Sequence, residues 1–413
     1  MDLTNYRNQK IELHNLFLNF IDDDNDESYF QILINLIQEQ KITLKKSTLS
    51  DFINFIISIS KYHHRPKNFL EKIEKTLNFL QNDIKTNFSN TQIIHVFKKN
   101  PRLLLFFVKN QIITANDIYK NLVSPKKSTK LEGKNYFFAQ YFYPEIKQFL
   151  NKKDKEKIEK EFLDIDSQFL EKFEKNRLKG ENDSYISQLI REDSIDEFVS
   201  FTSKNNLSLS ISLKPSIFET YSFICKLKKK SYEYANTETD YFIQLNCETS
   251  LIEYAAFHGS FQIFQYLRLN NVERDQSLII YSVHGRNPEI IHLIEEKNIE
   301  RRFWKACLKE AIKCQHNEIA NYILTNYLLD LDGKIILDLP KESSYYFLHA
   351  LNESIIGYGF HYYNFPFISF DFEYRFLLYF ACKYNHLDIV EYFLEDKKVD
   401  VNVKVYNILI LFC

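Results

Sequence analysis

One spacing recurs four times in the C-terminal half of the chain, and it leaves few folds open. A small or modest residue (Ala255, Ser282, Ala311, Ala381) stands eight positions before an isoleucine (Ile263, Ile290, Ile319, Ile389). A further apolar residue follows four positions later, at Leu267, Ile294, Ile323 and Phe393. Small residues let one helix approach its neighbour, a polar turn reverses the chain, and a second helix presents aliphatics at i, i+1 and i+4. Such a hairpin cannot bury its apolar stripe alone; stacking against the next copy does it. A single match would mean little, because many amphipathic pairs fit loosely. Four in register specify a stack.

The seven glycines and eight prolines in 413 residues point the same way. Gly runs near ~7% of residues in ordinary chains, and sheets and phosphate-binding α/β folds need it where φ is positive. Scarcity of both residues predicts helices joined by Asn- and Asp-based turns. The expected fold is therefore all-α, an α-solenoid of stacked helix-turn-helix pairs. Apolar residues make up 45% of the chain, ample for a core and unlike a disordered composition.

The repeated segments resemble the ankyrin repeat. Ala255-Ala256 with Gly259 matches the alanine pair and turn glycine of its signature. Asn385-His386-Leu387-Asp388-Ile389-Val390 and Val399-Asp400-Val401-Asn402 match its later part. The Thr-Pro-Leu-His opening is missing, and the turn glycine becomes Arg286, Gln315 or Asn385. Successive copies lie 27, 29 and 70 residues apart (Ala255, Ser282, Ala311, Ala381), against a period of about 33. Short spacings imply short fingers. The long gap implies a decayed repeat near Leu348-His349-Ala350 and an insertion around 358–370. The chain stops at Cys413, roughly where another repeat would begin, so a truncated stack is expected.

Upstream, 180–201 also reads as helix, turn, helix, with Asp193-Ser194 at the turn. Gln40-Lys41-Ile42-Thr43 and Gln111-Ile112-Ile113-Thr114 end apolar runs in similar phrases. The segment 123–135 reads as a loop, and 147–175 as one highly charged helix. We expect a helical domain of unknown function over 1–175 and degenerate ankyrin repeats over 176–413. Ser60-Lys61-Tyr62-His63-His64-Arg65-Pro66, Tyr143-Pro144-Glu145-Ile146-Lys147 and 177–183, with Leu251 to Ala256, are similar to an uncharacterised helical domain that precedes ankyrin repeats in a family of protist proteins. That resemblance is silent about activity.

Catalytic signals are weak. No Gly-x-Ser-x-Gly elbow and no Gly-x-x-x-x-Gly-Lys loop occurs. His63-His64 is the most metal-like pair, but neighbours on a helix point about 100° apart, and no Cys or carboxylate lies at ligand spacing. Cys307 and Cys314 read as buried thiols, with His316 facing away from Cys314. His258, His284 and His316 read as turn histidines bonded to nearby backbone. No catalytic, cofactor-binding or metal-binding residue is expected, and no cofactor.

A net charge of −2 carries no footprint for nucleic acid. The N-terminal residues lack a signal-peptide plan, and no apolar run reaches the ~20 residues of a membrane helix. Six cysteines in this length make no disulfide framework, so an intracellular, cytoplasmic setting fits. The ankyrin resemblance implies an unknown protein partner, not a nucleic acid, a membrane or a small-molecule substrate. It places Glu253, Tyr254, Phe257 and His258 on or near an inner helix, and Asn271, Arg274, Lys297, Asn298 and Asp400 in or near fingers, as partner-contacting residues. Tyr254 and Phe257 fit packing against the next repeat equally well. An intracellular scaffold or adaptor is the leading reading. Two alternatives stay open: a cryptic enzyme with its site in the N-terminal domain, and a truncated copy with no binding role.

Overall fold

The computed structural model describes residues 3–23, 26–124, 131–162, 167–221, 232–234, 243–245, 249–272, 275–296, 299–329 and 341–395. They form an all-helical solenoid-type fold, with a two-stranded antiparallel ribbon (β1, Tyr232–Tyr234; β2, Ile243–Leu245) as a small addition the composition did not signal. The helices are α1 (Leu3–Asp22), α2 (Asp26–Glu39), α3 (Lys46–Tyr62), α4 (Phe69–Phe79), α5 (Gln81–Asn87), α6 (Asn90–Phe97), α7 (Pro101–Lys109), α8 (Ala115–Ile118), α9 (Gly133–Tyr141), α10 (Tyr143–Ile146), α11 (Lys152–Phe162), α12 (Ser167–Lys179), α13 (Tyr185–Arg191) and α14 (Ile195–Lys204). After the ribbon come α15 (Leu251–His258), α16 (Phe261–Leu269), α17 (Leu278–Gly285), α18 (Pro288–Glu295), α19 (Arg301–Lys313), α20 (Asn317–Ile323), α21 (Lys341–Tyr362), α22 (Tyr374–Tyr384) and α23 (Leu387–Glu395).

Two compact units share this chain and interleave along the sequence. One comprises 1–73, 231–245 and 255–413; the other comprises 74–230 and 246–254.

In the first unit, α17, α19, α21 and α22 stack side by side as inner helices, α15 meets α17 through Phe257 and His284, and α16, α18, α20 and α23 are outer partners. Ala255, Ser282, Ala311 and Ala381 are all buried on inner helices, as the spacing requires. Ile263, Ile290 and Ile389 are wholly buried on the outer ones, and Ile319 is half-buried beside buried Ala320. Each buried Ile or Leu side chain contributes roughly 1.5–3 kcal/mol.

The turns repeat as closely as the helices. Gly259 (φ 70°), Arg286 (φ 50°), Gln315 (φ 63°) and Asn385 (φ 64°) occupy the same left-handed position. In three of these turns the amide just after the left-handed residue reaches back five residues: Ser260 N–H to Ala255 O, His316 N–H to Ala311 O, and His386 N–H to Ala381 O, each 2.9 Å. This is a Schellman-type C-cap, which satisfies carbonyls that a helix end leaves unpaired. The phrases echoed upstream are the same device. Lys41 and Gln111 are left-handed, and Ile42 and Ile112 donate to Ile37 O and Phe107 O at 3.0 Å. Asn and Asp supply only part of these positions; Lys41, Gln111, Arg286, Gln315 and Tyr363 also adopt positive φ.

The long gap between copies holds α21, a 22-residue inner helix that includes the expected 348–350 segment. In place of an outer helix, α21 is followed by a short 3-10 turn at Phe365–Phe367. In the second unit, the charged stretch 147–175 is not one helix. A 3-10 turn (Lys147–Phe149) precedes α11, and Asn151 accepts from the Asp154 amide at 2.9 Å, starting a new helix there. There α13 and α14 form the expected hairpin, with Asp193 left-handed and the Ser194 amide on Leu189 O at 3.0 Å.

Candidate functional site

The ends of the inner helices form an edge, and within the first unit this edge is covered by α1 and α3. Arg7 donates to Phe365 O (3.1 Å) and Pro366 O (2.9 Å), and buried His14 donates from Nδ1 to Tyr363 O (3.1 Å). Farther along, His63 donates from Nδ1 to Cys314 O (2.7 Å), and Asp22 meets Arg286 at 3.3 Å. Carbonyls freed at helix ends are thereby satisfied by side chains from the N-terminal helices. Here α17 is buried from Leu278 through His284, and α19 from Glu310 through Lys313, whose ammonium lies over the Tyr62 ring of α3. Inner-helix surface that a free repeat stack would offer a partner is here occupied by the chain's own helices.

Beneath the edge lies a charged core. Glu310 is wholly buried and bonded to His284 and Lys313. Burial opposes its ionisation, but Lys313 and His284 outweigh that and hold the carboxyl well below the usual carboxylate range. Burial lowers the proton affinity of His284, and Glu310 works against that. Burial also pushes the Cys307 and Cys314 thiols up, so they are inert apolar fillers, as expected. His316 bonds backbone through Nδ1 to Val283 O (2.8 Å), and buried His386 bonds Phe360 O (2.7 Å), each reaching a neighbouring inner helix. His284 departs from the turn-histidine pattern by pairing with a carboxylate.

A groove on the described surface of this unit suits a ligand larger than an ion. It encloses about 360 Å³ between α1, the α2–α3 turn and α23. Lys10, Lys41 and Lys45 stand on the N-terminal side, and Asp388, Glu391 and Glu395 on α23. Tyr6, Ile42 and Tyr392 supply apolar surface, and Leu44 at the rim is 74% exposed. Sequence reading missed this groove because its walls lie more than 300 residues apart.

The residues expected to contact a partner fall differently. Tyr254 is wholly buried, with its hydroxyl accepting from Arg191 at 2.8 Å, and Phe257 is buried with its ring 4.4 Å from that of His284. Both therefore take the packing role. Glu253 closes a capping box with Ser250, receiving the Ser250 amide at 2.8 Å. His258 is half-buried, and Asn271 is exposed with a left-handed backbone. Arg274, Lys297, Asn298 and Asp400 lie outside the described residues, as does the apolar end at 408–412.

Two groups of side chains have metal-ligand chemistry: His63, His64 and His316, and the buried set His284, Glu310 and Cys314. The first contradicts the geometric expectation made for His63-His64. Helix α3 ends at Tyr62, and His63 is extended (φ −68°, ψ 151°), so the two rings lie only 4.2 Å apart. Among the described residues no helix is long and apolar enough to cross a membrane.

Residues 373–403, which span α22 and α23 and run past the described residues, match the family model of the ankyrin repeat. No curated protein and no solved structure matches the chain. One pair of this stack is thus similar to an ankyrin repeat by sequence, and the pairs before it share its turn geometry.

Proposed function

We propose that the chain is an intracellular, cytoplasmic scaffold or adaptor that binds a protein partner and carries out no chemistry itself. The ankyrin match supports a binding role, since such stacks present rigid surfaces instead of reactive groups. The observation that carries the reading furthest is the groove beside α23, with exposed Leu44 over a floor flanked by lysines on one wall and carboxylates on the other. A short amphipathic partner helix suits it: an apolar residue buried near Tyr392, basic residues toward Glu391 and Glu395, acidic ones toward Lys41 and Lys45. Asn271, Arg274, Lys297, Asn298 and Asp400 belong to the proposal as candidate partner contacts, on the ankyrin resemblance alone. The kinship of the upstream phrases with the protist helical domain, and a distinct role for residues 1–175, belong to the same proposal.

The test uses the full chain as bait beside Leu44→Asp and Glu391→Lys, each checked for helix content. A saturable partner that loses about tenfold or more in affinity to either variant supports the groove, because a central anchor carries at least ~1.4 kcal/mol. Equal affinity for all three proteins removes the groove from the reading. Absence of any saturable partner counts against the adaptor itself.

A further inference from the structure

We propose that Asp22, His63, His64 and His316 form a site for a divalent first-row transition metal ion of the zinc type, fastening the ends of α1 and α3 to the turn between α19 and α20. The lone pairs of the rings point to an ion. A backbone carbonyl can only accept, so His316 Nδ1, 2.8 Å from Val283 O, carries the proton and Nε2 carries the lone pair. That Nε2 is buried and has no hydrogen-bond partner. An orphaned buried acceptor is destabilising, and such groups call for an occupant.

His63 repeats half of the pattern. Its Nδ1 donates to Cys314 O at 2.7 Å, while its Nε2 lies 3.0 Å from Asp22 Oδ1, an acceptor, so a bound ion takes the place of the proton that holds this pair together. His64 Nε2 lies 3.5 Å from the same oxygen. Histidine ligands to zinc are commonly oriented in this way, one ring N–H on a carbonyl and the other nitrogen toward the ion. Asp22 is divided between two tasks: Oδ1 faces the histidines while Oδ2 meets the Arg286 guanidinium at 3.3 Å. Arg286 also lies 3.4 Å from His64, and its partly exposed side chain is free to swing outward when an ion enters.

One nitrogen from each histidine lies within 4.8 Å of the others. A tetrahedral zinc site needs donor–donor edges of about 3.3 Å, so loading draws the rings together by an ångström or so. The half-exposed edge at His64 provides the entry path. Three neutral nitrogens with one carboxylate oxygen suit zinc better than calcium or magnesium, which take oxygen ligands. The second cluster, His284, Glu310 and Cys314, is the weaker candidate because Lys313 already supplies a cation to Glu310.

The full chain, stripped by chelator dialysis, is titrated with zinc chloride alone and with cobalt chloride as a coloured probe. One ion per chain is expected, with the intense visible d–d bands of tetrahedral cobalt and no thiolate charge-transfer band. His64→Ala and Asp22→Asn should each weaken binding by about 100-fold or more, since even outer partners of a metal ligand are worth 10–100-fold. His292→Ala, an exposed histidine on α18, should leave it unchanged. Binding that survives both His64→Ala and Asp22→Asn overturns the site. Should either variant fail to fold, the wild-type spectrum decides alone: no tetrahedral cobalt bands, or a thiolate band placing the ion at Cys314, also overturns it.

Discussion

Gly285 and Gly259 meet backbone to backbone: a Cβ placed on Gly285 would stand 2.4 Å from Ala256 O and 2.6 Å from the Gly259 nitrogen. Asn287 seals the contact, donating from its side chain to Gly259 O at 3.1 Å. Two of the chain's seven glycines are thus spent where adjacent hairpins touch through main chain, and no other residue type fits.

It follows that Gly285→Ala should destabilise the first unit by about 1–3 kcal/mol or more, the range for forcing atoms into a filled space. Equilibrium unfolding in urea reads this as a lower midpoint. Gly285 sits in an α-helix, so ordinary helix propensity makes the opposite forecast, a gain of about 1 kcal/mol.

The left-handed turns built on other residues should respond in the reverse sense. Gln111 (φ 58°) has an exposed side chain at the end of α7. Relief of left-handed strain, set against the looser unfolded chain, gives Gln111→Gly a net gain of roughly 0.5–1 kcal/mol. Thermal unfolding that moves downward instead would show that the Gln111 side chain makes contacts worth more than the strain.

How much of this was legible in the sequence depends on range. The four turn positions, Gly259, Arg286, Gln315 and Asn385, follow from spacing alone, because each stands four residues after the small residue of its copy. The groove and the His63–His64–His316 cluster did not follow, for two physical reasons. Asp22 and His316 reach the pair only through packing of distant helices, and the assumption that His63-His64 continued α3 was wrong by one residue. The three upstream phrases quoted as family-like have structural roles. Tyr143 to Lys147 and 177–183 meet through Glu145 and Arg177, whose paired contacts are 2.8 and 2.9 Å, and Ser60 to Pro66 supplies the histidine pair.

That Glu145–Arg177 pair yields its own prediction. Arg177 is wholly buried, takes both Glu145 oxygens and also donates to Tyr141 O at 3.0 Å. Burial alone would weaken its charge, but Glu145 and Glu174 overcome that and raise its proton affinity. Lysine keeps the charge but cannot reproduce the fork, so Arg177→Lys should cost the second unit about 1–3 kcal/mol, as for leaving buried hydrogen-bonding groups unsatisfied. A calorimetric trace with unchanged transitions would be incompatible with that role.

Asp51 supplies a pH dependence. It is buried, 3.8 Å from Lys10 Nζ and accepting from Tyr6 at 3.3 Å. Burial outweighs Lys10, and the carboxyl is pushed up to about 7. Between about pH 4 and pH 7 the folded protein holds this proton while the unfolded chain has released it. Stability from this group is therefore complete below about pH 4 and declines as pH rises, by at most ~1.4 kcal/mol per unit. In Asp51→Asn the decline should flatten relative to wild type when urea midpoints are compared at pH 4.5, 6 and 7.5. Parallel curves would contradict the assignment.

The stacking of hairpins, each shielding its neighbour's apolar stripe, is tested most directly by native-state hydrogen exchange on the full chain carrying Ala311→Asp. Ala311 is wholly buried on α19, whose neighbours in the stack are α17, α20 and α21. Loss of protection should spread from α19 to all three, because repeat stability is a sum of nearest-neighbour terms. Faster exchange confined to α19, with α17 and α21 as protected as in the unaltered chain, would contradict the stack.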